Sequence, residues 1–327
     1  MATHSLTPHR RTLHGTFTAA WEPVLTVEPG DTVVFETLDA GWGLEAFHAD
    51  GGERRRFVPR DPERDNGHAL CGPVAVRGAD PGLTLVVDIG RIVPGNWGWT
   101  VGGGWANGIN EHVGLAQDEF MLRWDLDADA GVGTSHLGHT VALAPFFGVM
   151  GMPGLDGRPV PSWTPRPQGG NLDCKELGEG ATLYLPIAVQ DALFSAGDGH
   201  ALQADGEVSS TGIECPIISG ELTLSLTDDL ALTTPIARTP DAWLTFGFDE
   251  SLDKATLRAL DAMLDLLCRE AGVGRQEAMA LASLLADFHI TQIVNGVRGV
   301  HASVRHDALA RLGTTGGSAD VPAAPTP

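Results

Sequence analysis

The sequence has few cysteines and few positive charges, and each shortage excludes a class of protein. The four cysteines are widely separated and form no CxxC pair, which argues against a structural zinc ribbon. Lys and Arg number 21 against 42 Asp and Glu, so the formal net charge is -21. Because this charge repels phosphate backbones, we expect no nucleic-acid partner.

Long apolar runs are missing as well. No segment approaches the roughly 18 apolar residues of a membrane span, and residues 1–12 lack the apolar segment of a signal peptide. The GxSxG, P-loop and GxGxxG motifs are absent too, which disfavours the hydrolase and nucleotide sites that depend on them. We therefore predict a cytoplasmic protein with reduced thiols and no membrane partner.

Glycine and proline, by contrast, are abundant. The 42 Gly and 21 Pro, without a strict Gly period, favour many turns and short strands, and a hydrophobic content of 43% suffices for a packed core. Alternation of apolar and polar residues from Leu183 to Val189 and from Leu222 to Leu226 is typical of strands. Pro186 within the first run predicts a sheet edge or a bulge.

Two Pro-Gly turns each separate a pair of strand-like runs. Because Pro-Gly is a strong turn signal, we predict two hairpins, the first of which brings Glu36 and Asp39 to its end. The Gly- and Trp-rich stretch 94–110 is interpreted as a loop that either lines a pocket or packs on the surface. The turns and their flanking runs are Pro29-Gly30 between 24–27 and 32–37, and Pro81-Gly82 between 72–76 and 83–89.

Helical periodicity appears only late in the chain. Leucines every three or four residues from Leu257 to Leu267 predict a helix with Ser251 as N-cap and Gly272 as C-cap. This order of elements predicts a mainly β fold with an α+β C-terminal part. A second helix near 275–286, a strand near 288–294 and a short helix near 305–312 are predicted to follow. The predicted divisions are a β-rich domain (1–152), a second β-rich half (153–250), an α+β segment (251–313) and a disordered tail (314–327).

Acids and one histidine alternate with glycines between residues 168 and 214. Asp198 and His200 are two residues apart and would share one face of a strand, so both can reach one ion. Carboxylates and imidazole bind divalent metals, with Zn²⁺ the first choice here and Ca²⁺, Mn²⁺ or Mg²⁺ the alternatives. The predicted ligands are Asp39, Asp173, Asp198 and His200. The predicted catalytic residues are Glu207 and Glu214, as general bases, and Glu36, as a partner of the ligands.

These patterns also have simpler interpretations. Asp and Gly form turns without any metal. His136 and His139, three residues apart, could bind a metal, but such pairs are more commonly polar residues of a loop. The cluster Arg54-Arg55-Arg56 either captures an anion or is a solvated loop. Cys174-Lys175-Glu176 contains the residue types of a Cys-Lys-Glu amidase, but adjacent residues on a strand point to opposite faces, which disfavours a thiol site.

Several motifs, in their order and spacing, resemble the acetamidase/formamidase family over roughly residues 25–214. The strongest is 192–208 (ALFSAGDGHALQADGEV), which is followed by Gly212-Ile213-Glu214. Gln168, Ala204 and the segment 66–71 depart from the residues usual in the family. The other matching segments are 29–40 (PGDTVVFETLDA), 72–82 (GPVAVRGADPG) and 169–173 (GGNLD).

The resemblance implies a fold and an activity. It implies a β-sandwich-like core, a divalent metal at the acid and histidine loops, and assembly into a homo-oligomer. It also implies hydrolysis of a short linear amide, such as formamide or acetamide, to the acid and ammonia. The alternatives are a non-catalytic β-sandwich that binds a small ligand and holds a structural metal, and thiol catalysis through Cys174.

Overall fold

Short strands separated by turns make up most of the chain, as the glycine and proline content predicts. The computed structural model describes residues 1–312. The helices are α1 (Gly108–Val113), α2 (Leu252–Ala271), α3 (Arg275–Leu285) and α4 (His306–Ala310). The strands are β1 (Thr3–Leu6), β2 (Leu13–His14), β3 (Thr16–Phe17), β4 (Leu25–Val27), β5 (Asp31–Phe35), β6 (Leu70–Val76), β7 (Thr84–Pro94), β8 (Trp97–Gly102), β9 (Phe120–Asp127), β10 (Val132–Ser135), β11 (Thr140–Ala142), β12 (Phe146–Gly151), β13 (Val160–Pro161), β14 (Gly169–Asn171), β15 (Thr182–Pro186), β16 (Phe194–His200), β17 (Glu214–Cys215), β18 (Ile217–Thr227), β19 (Ile236–Arg238), β20 (Ala242–Asp249), β21 (Ala286–Gln292) and β22 (Arg298–Arg305).

The strands form two large sheets and one small one. The first sheet has the order β1-β5-β18-β7-β15-β19-β20-β22-β21. The second has the order β11-β10-β9-β8-β17-β16-β12-β14, and β6 extends it by pairing with β16, β2 and β4. Strands β3 and β13 form the small sheet. In the first sheet, Leu222 of β18 lies opposite Ile89 of β7, and Leu224 opposite Val87, so the alternating leucines do form a strand, as predicted.

Aromatic rings fill the space between the two large sheets. Phe35 of the first sheet lies edge-on to Phe147 and Phe194 of the second, with ring centroids 6.3 and 6.2 Å away. Edge-to-face pairs of this kind are favoured by the charge distribution of aromatic rings. Gly220 of β18 lies so close to Phe147 that a Cβ there would sit 2.3 Å from its ring. This face-to-face packing confirms the predicted β-sandwich-like core.

The predicted α+β C-terminal part is also confirmed. The Ser251 side chain accepts a hydrogen bond from the N–H of Lys254 at the start of α2, and Gly272 ends the helix in the left-handed conformation at a φ of 67°. The buried face of α2 packs against the C-terminal strands of the first sheet. Helix α3, strand β21 and helix α4 lie close to their predicted positions.

The two hairpins predicted at the Pro-Gly turns are wrong. Strand β4 pairs in parallel with β6 in the second sheet, whereas β5 pairs with β1 and β18 in the first. Strands β6 and β7 likewise belong to different sheets. A turn signal predicts that the chain reverses, but the apolar faces of these strands are buried across the sandwich, so each turn carries the chain from one sheet to the other.

The stretch 94–110 differs from its prediction, whereas Pro186 lies at a sheet edge, although only locally. Residues 94–110 contain strand β8, which pairs with β9 and β17, so the predicted loop is wrong over Trp97–Gly102. Strand β15 lies inside its sheet, but its pairs with β19 end at Tyr184. Pro186 therefore has a ladder partner only on the β7 side, which is the local edge that its missing N–H requires.

No helix within residues 1–312 combines the length and the apolar character needed to cross a membrane. All four cysteines are free thiols. Both large sheets contain strands from before and after residue 152, and the predicted domain division stays a prediction. The tail predicted for 314–327 lies outside the described residues.

Candidate active site

Strand β16 carries Asp198 and His200 into the interior, among β6, β12 and β17. All seven of its residues are buried. Glycines on both sides of Asp198 allow the neighbouring backbones to approach. A Cβ at Gly197 would lie 2.3 Å from the carbonyl oxygen of Ala69, and one at Gly199 would lie 2.7 Å from that of Cys215. The Gly-Asp-Gly sequence is therefore the local requirement for burying an acid at this depth in the sheet.

His200 is shared by two overlapping groups of potential metal donors. Its Nε2 atom lies 2.9 Å from Glu214 Oε1 and 3.6 Å from Asp198 Oδ1. Asp173 and Glu207 form a second group with His200, and within each group the donor atoms lie within 4.8 Å of one another. All five side chains are buried. The fold thus brings together five of the seven residues predicted for the site.

Asp173 and Asp198 meet over the backbone of Gly148 in β12. A Cβ at Gly148 would lie 2.7 Å from Asp173 Oδ1 and 2.8 Å from Asp198 Oδ2. The carbonyl of Gly148 accepts hydrogen bonds from the N–H groups of Leu172, at 2.9 Å, and Asp173, at 3.2 Å. Asn295 Nδ2 donates to Asp173 Oδ2 at 2.7 Å. The missing side chain at residue 148 therefore provides the space in which the two carboxylates face each other.

Three acids of the cluster have left-handed backbones. The φ angles of Asp173, Asp198 and Glu207 are 47°, 58° and 44°. Residues other than glycine rarely adopt this region, and each such residue typically costs on the order of 1–3 kcal/mol. Strain of this kind is concentrated at functional sites, where the rest of the fold holds it in place.

The buried charges shift the pKa values of the cluster in opposite directions. Burial raises the pKa of Glu214 to about 7, and burial together with the Asp198 charge raises that of Asp173 to about 6. Burial and the Asp173 charge raise the pKa of Glu207 well above its ordinary value. Burial alone would raise the pKa of Asp198, but the positive charges of His68 and His200 outweigh it and lower this pKa. Carboxyls with raised pKa values are suited to exchanging protons near neutral pH.

His68 also belongs to the cluster and was not predicted. Its Nδ1 atom lies 2.8 Å from Asp198 Oδ2, and its side chain is 29% exposed. Burial lowers the pKa of His68, but the Asp198 carboxylate outweighs this effect and the pKa rises to about 9. His68 is thus the member of the cluster that reaches toward solvent. Its position depends on β6 pairing with β16, where Leu70 lies opposite Gly197.

The structure gives Asp39 and Glu36 other surroundings than those predicted. Asp39 Oδ2 accepts hydrogen bonds from Arg54 Nη1 at 2.6 Å and Trp99 Nε1 at 2.7 Å, and among residues 1–312 it is outside the groups of close metal donors. Its negative charge is therefore neutralised by a buried arginine. Glu36 is exposed at the end of β5. Neither residue belongs to the close donor groups around His200.

The surroundings of the Cys-Lys-Glu segment disfavour thiol catalysis. Cys174 Sγ lies 3.2 Å from Glu176 Oε2, while the Lys175 ammonium lies 2.8 Å from Asp205 Oδ2 and 3.7 Å from Glu176 Oε1. Burial and the Glu176 carboxylate raise the pKa of the Cys174 thiol well above its ordinary value. A thiol held in its protonated form is a poor nucleophile.

The donor set of the cluster fits a divalent cation. Asp173 Oδ1, Asp198 Oδ1, Glu207 Oε2 and Glu214 Oε2 are buried without a hydrogen-bond partner in the described part of the chain, and so is His200 Nδ1. An unpartnered buried carboxylate oxygen is costly, and a metal ion is one way to satisfy several at once. Carboxylate oxygens with an imidazole nitrogen suit Zn²⁺ and comparable divalent ions.

Comparison with known proteins identifies the family of the chain. The sequence profile of the acetamidase/formamidase family matches residues 2–155 and 157–241, well over half of the chain. The chain belongs to the acetamidase/formamidase family. A Schizosaccharomyces pombe protein provisionally named a formamidase is 28% identical to this chain in a match that covers 71% of this chain and 72% of that protein. The formamidase of Methylophilus methylotrophus is 27% identical in a match that covers 59% of each chain.

Solved structures in this family share the architecture. The crystal structure of a predicted acetamidase/formamidase from Thermoanaerobacter tengcongensis superposes with a TM-score of 0.83 at 26% identity, covering 96% of this chain and 99% of that one. The similarity therefore extends beyond the sandwich to the C-terminal helices and strands. It confirms the mainly β fold class.

Proposed function

We propose that this acetamidase/formamidase family protein hydrolyses short linear amides, such as formamide and acetamide, at the buried cluster around His200, with the help of a divalent metal. Family membership makes the chain an amidohydrolase of linear amides. The choice of short substrates, the metal dependence and the residue roles are the finer parts of the proposal. The observation that carries it is the convergence of Asp173, Asp198, Glu207 and Glu214 on one buried imidazole.

Asp173, Asp198 and His200 are the residues that would hold the cation. Asp198 has the lowest proton affinity of the acids, because His68 and His200 favour its charged form. Asn295 fixes one oxygen of Asp173 and leaves the other, Oδ1, facing Asp198 across Gly148. A cation bound there would polarise the amide carbonyl and lower the pKa of water toward neutrality.

Glu207 and Glu214 are the residues that would move protons. Each has an oxygen, Oε2, that lacks a hydrogen-bond partner within residues 1–312, and each has a raised pKa. Either carboxylate can accept a proton from the attacking water and return it to the departing amine. Glu214 Oε1 also accepts a hydrogen bond from the N–H of Gly212, at 3.1 Å, so only Oε2 of this residue remains available.

The proposal is tested by measuring ammonia release from formamide, acetamide and longer amides, with and without a metal chelator. We expect release from the shortest amides, loss of that activity after chelation, and its return when Zn²⁺ or another divalent ion is restored. Chelator-resistant hydrolysis that iodoacetamide abolishes would point instead to thiol catalysis at Cys174. A tightly bound metal without hydrolysis of any amide would favour a ligand-binding protein with a structural metal.

Assembly into a homo-oligomer forms part of the proposal. Strand β21 is the last strand of the first sheet, and beyond its contact with Gly206 at residues 291–293 one of its sides has no strand partner within residues 1–312. It also exposes Phe288 and Ile290, which are 40% and 43% accessible. Covering this edge with a second copy of the chain would bury both. Light scattering of the purified protein measures the subunit number directly.

Gly148→Ala is expected to reduce amide hydrolysis by about 100-fold, because the added Cβ would push Asp173 and Asp198 apart, and a displacement near 1 Å can have an effect of that size. The measurement is kcat/KM for formamide. Gly102→Ala is the matched control, since a Cβ at Gly102 has no atom within 4 Å. Equal activity of the two variants would contradict the assigned role of Gly148.

A further inference from the structure

A second cluster of metal-binding side chains lies where the loop after β14 meets β22. Cys174 Sγ contacts Glu176 Oε2 at 3.2 Å, and His301 Nε2 lies 3.7 Å from the same oxygen. All three donor atoms lie within 4.8 Å of one another. None of these side chains has a part in the proposed hydrolysis, although Cys174 directly follows Asp173 in the chain. The cluster therefore calls for a separate explanation.

His301 is the residue that points to a ligand. Its side chain is 1% exposed, and its Nδ1 atom lies 2.8 Å from Thr291 Oγ1. Its Nε2 atom is buried without a hydrogen-bond partner in residues 1–312, and 3.7 Å to Glu176 is too long for a hydrogen bond. Leaving such an atom unpaired is costly. An imidazole whose Nδ1 is held by a hydroxyl presents the lone pair of Nε2 to a metal.

The donor types select one class of ion. Thiolate, imidazole and carboxylate together are typical of Zn²⁺, whereas Ca²⁺ and Mg²⁺ bind oxygen ligands. Metal binding would supply the positive charge that a thiolate needs at this position.

The cluster also has a route to the surface. The side chain of Glu176 is 26% exposed, so an ion can approach from that side. Lys175 is the positive neighbour, and its ammonium lies closer to Asp205 Oδ2, at 2.8 Å, than to Glu176 Oε1, at 3.7 Å. His289 stacks on His301 with ring centroids 4.7 Å apart and lies 3.3 Å from the Asp205 carboxylate. The repulsion that Lys175 would exert on a cation is therefore reduced by its own acidic partner.

We infer that Cys174, Glu176 and His301 bind Zn²⁺ or a similar ion at a second site, with a water molecule completing the coordination. The ion replaces the proton of the Cys174 thiol, which is released to solvent, and no redox step is involved. The bound ion ties the loop that follows Asp173 to β22. The β21–β22 turn carries Asn295, which donates to Asp173, so the second ion secures the active-site loop without touching the substrate.

The test is a titration of metal-free full-length protein with Co²⁺, which reports a thiolate ligand by a charge-transfer absorption in the near ultraviolet. The proposed active-site ligands contain no sulfur, so this band is specific to the second site. We expect the band in the wild type and in Cys268→Ser, a control at a cysteine outside the cluster. Cys174→Ser should lose the band and one bound ion per chain. His301→Gln should weaken binding by more than about 100-fold, since losing even a residue that orients a ligand costs 10–100-fold.

Two results would overturn the inference. One is a wild-type protein that binds Co²⁺ without the thiolate band, which would mean that Cys174, Glu176 and His301 form only a protonated hydrogen-bonded cluster. The other is a band that persists in Cys174→Ser. Circular dichroism identifies a misfolded Cys174→Ser protein, in which case His301→Gln, with the cysteine intact, decides the outcome. Failure of amide hydrolysis would not affect this result, because the readout requires no substrate.

Discussion

Replacing His200 with alanine is expected to lower kcat/KM for formamide by at least about 10³-fold, roughly 4 kcal/mol in activation free energy. Removing a single oxyanion donor typically lowers activity by about 10²–10³-fold. We expect a larger decrease here, because His200 contacts Glu214 and belongs to both donor groups. Its removal takes away a proposed metal ligand and leaves Asp198 and Glu214 without their shared positive partner. The measurements are ammonia release and the metal content of the purified variant.

The matched control for this prediction is His139→Ala. His139 is an exposed histidine in the turn between β10 and β11, and we expect wild-type activity and metal content from this variant. Circular dichroism and thermal melting of both variants separate loss of function from loss of fold. Unchanged ammonia release by folded His200→Ala would reject the proposed site.

Arg54→Ala is expected to destabilise the fold by about 3–5 kcal/mol, because it leaves the Asp39 carboxylate buried without its charge partner. The side chains of Arg54 and Asp39 are 2% and 0% exposed, and Arg54 also lies over the ring of Phe47 at 4.0 Å. Urea denaturation measures the effect as a change in the free energy of unfolding.

The neighbouring residue offers a matched control. Arg55 also pairs with a carboxylate, that of Glu45, at 2.6 Å, but its side chain is 74% exposed. Exposed pairs typically contribute less than about 1 kcal/mol, so Arg55→Ala should have a small effect. Similar destabilisation by the two variants would show that burial of the Arg54–Asp39 pair does not determine how much the pair contributes to the free energy of unfolding.

The sequence contains enough information for the fold class and little for the strand pairing. Alternating residues identify the strand that contains Leu222, and capping residues such as Ser251 and Gly272 mark the ends of α2, because these signals are local. The Pro-Gly turn at Pro29 is local too, yet the partners of β4 and β5 lie far away in the chain. Pairing depends on which apolar faces meet across the sandwich, and residues such as Phe35 and Phe147 meet only in the folded protein.

The same distinction separates the predicted site residues from the missed ones. Asp173, Asp198 and the acids after His200 lie in short motifs whose spacing is visible in the sequence. His68 and Asn295 reach the cluster through the β6–β16 pair and the β21–β22 turn, and no local pattern marks them. The interpretation of Arg54 as part of a solvated loop is wrong, because Arg54 is buried. Its burial depends on Asp39 and on aromatic residues that lie elsewhere in the sequence.

The position of the bound metal tests the proposed active site most directly. Crystals of protein that releases ammonia from formamide would be measured on both sides of the absorption edge of the metal found by elemental analysis. The proposed mechanism predicts an anomalous peak within coordination distance of His200, Asp198 and Asp173, separate from any peak at Cys174. Active crystals with no such peak beside His200 would contradict it.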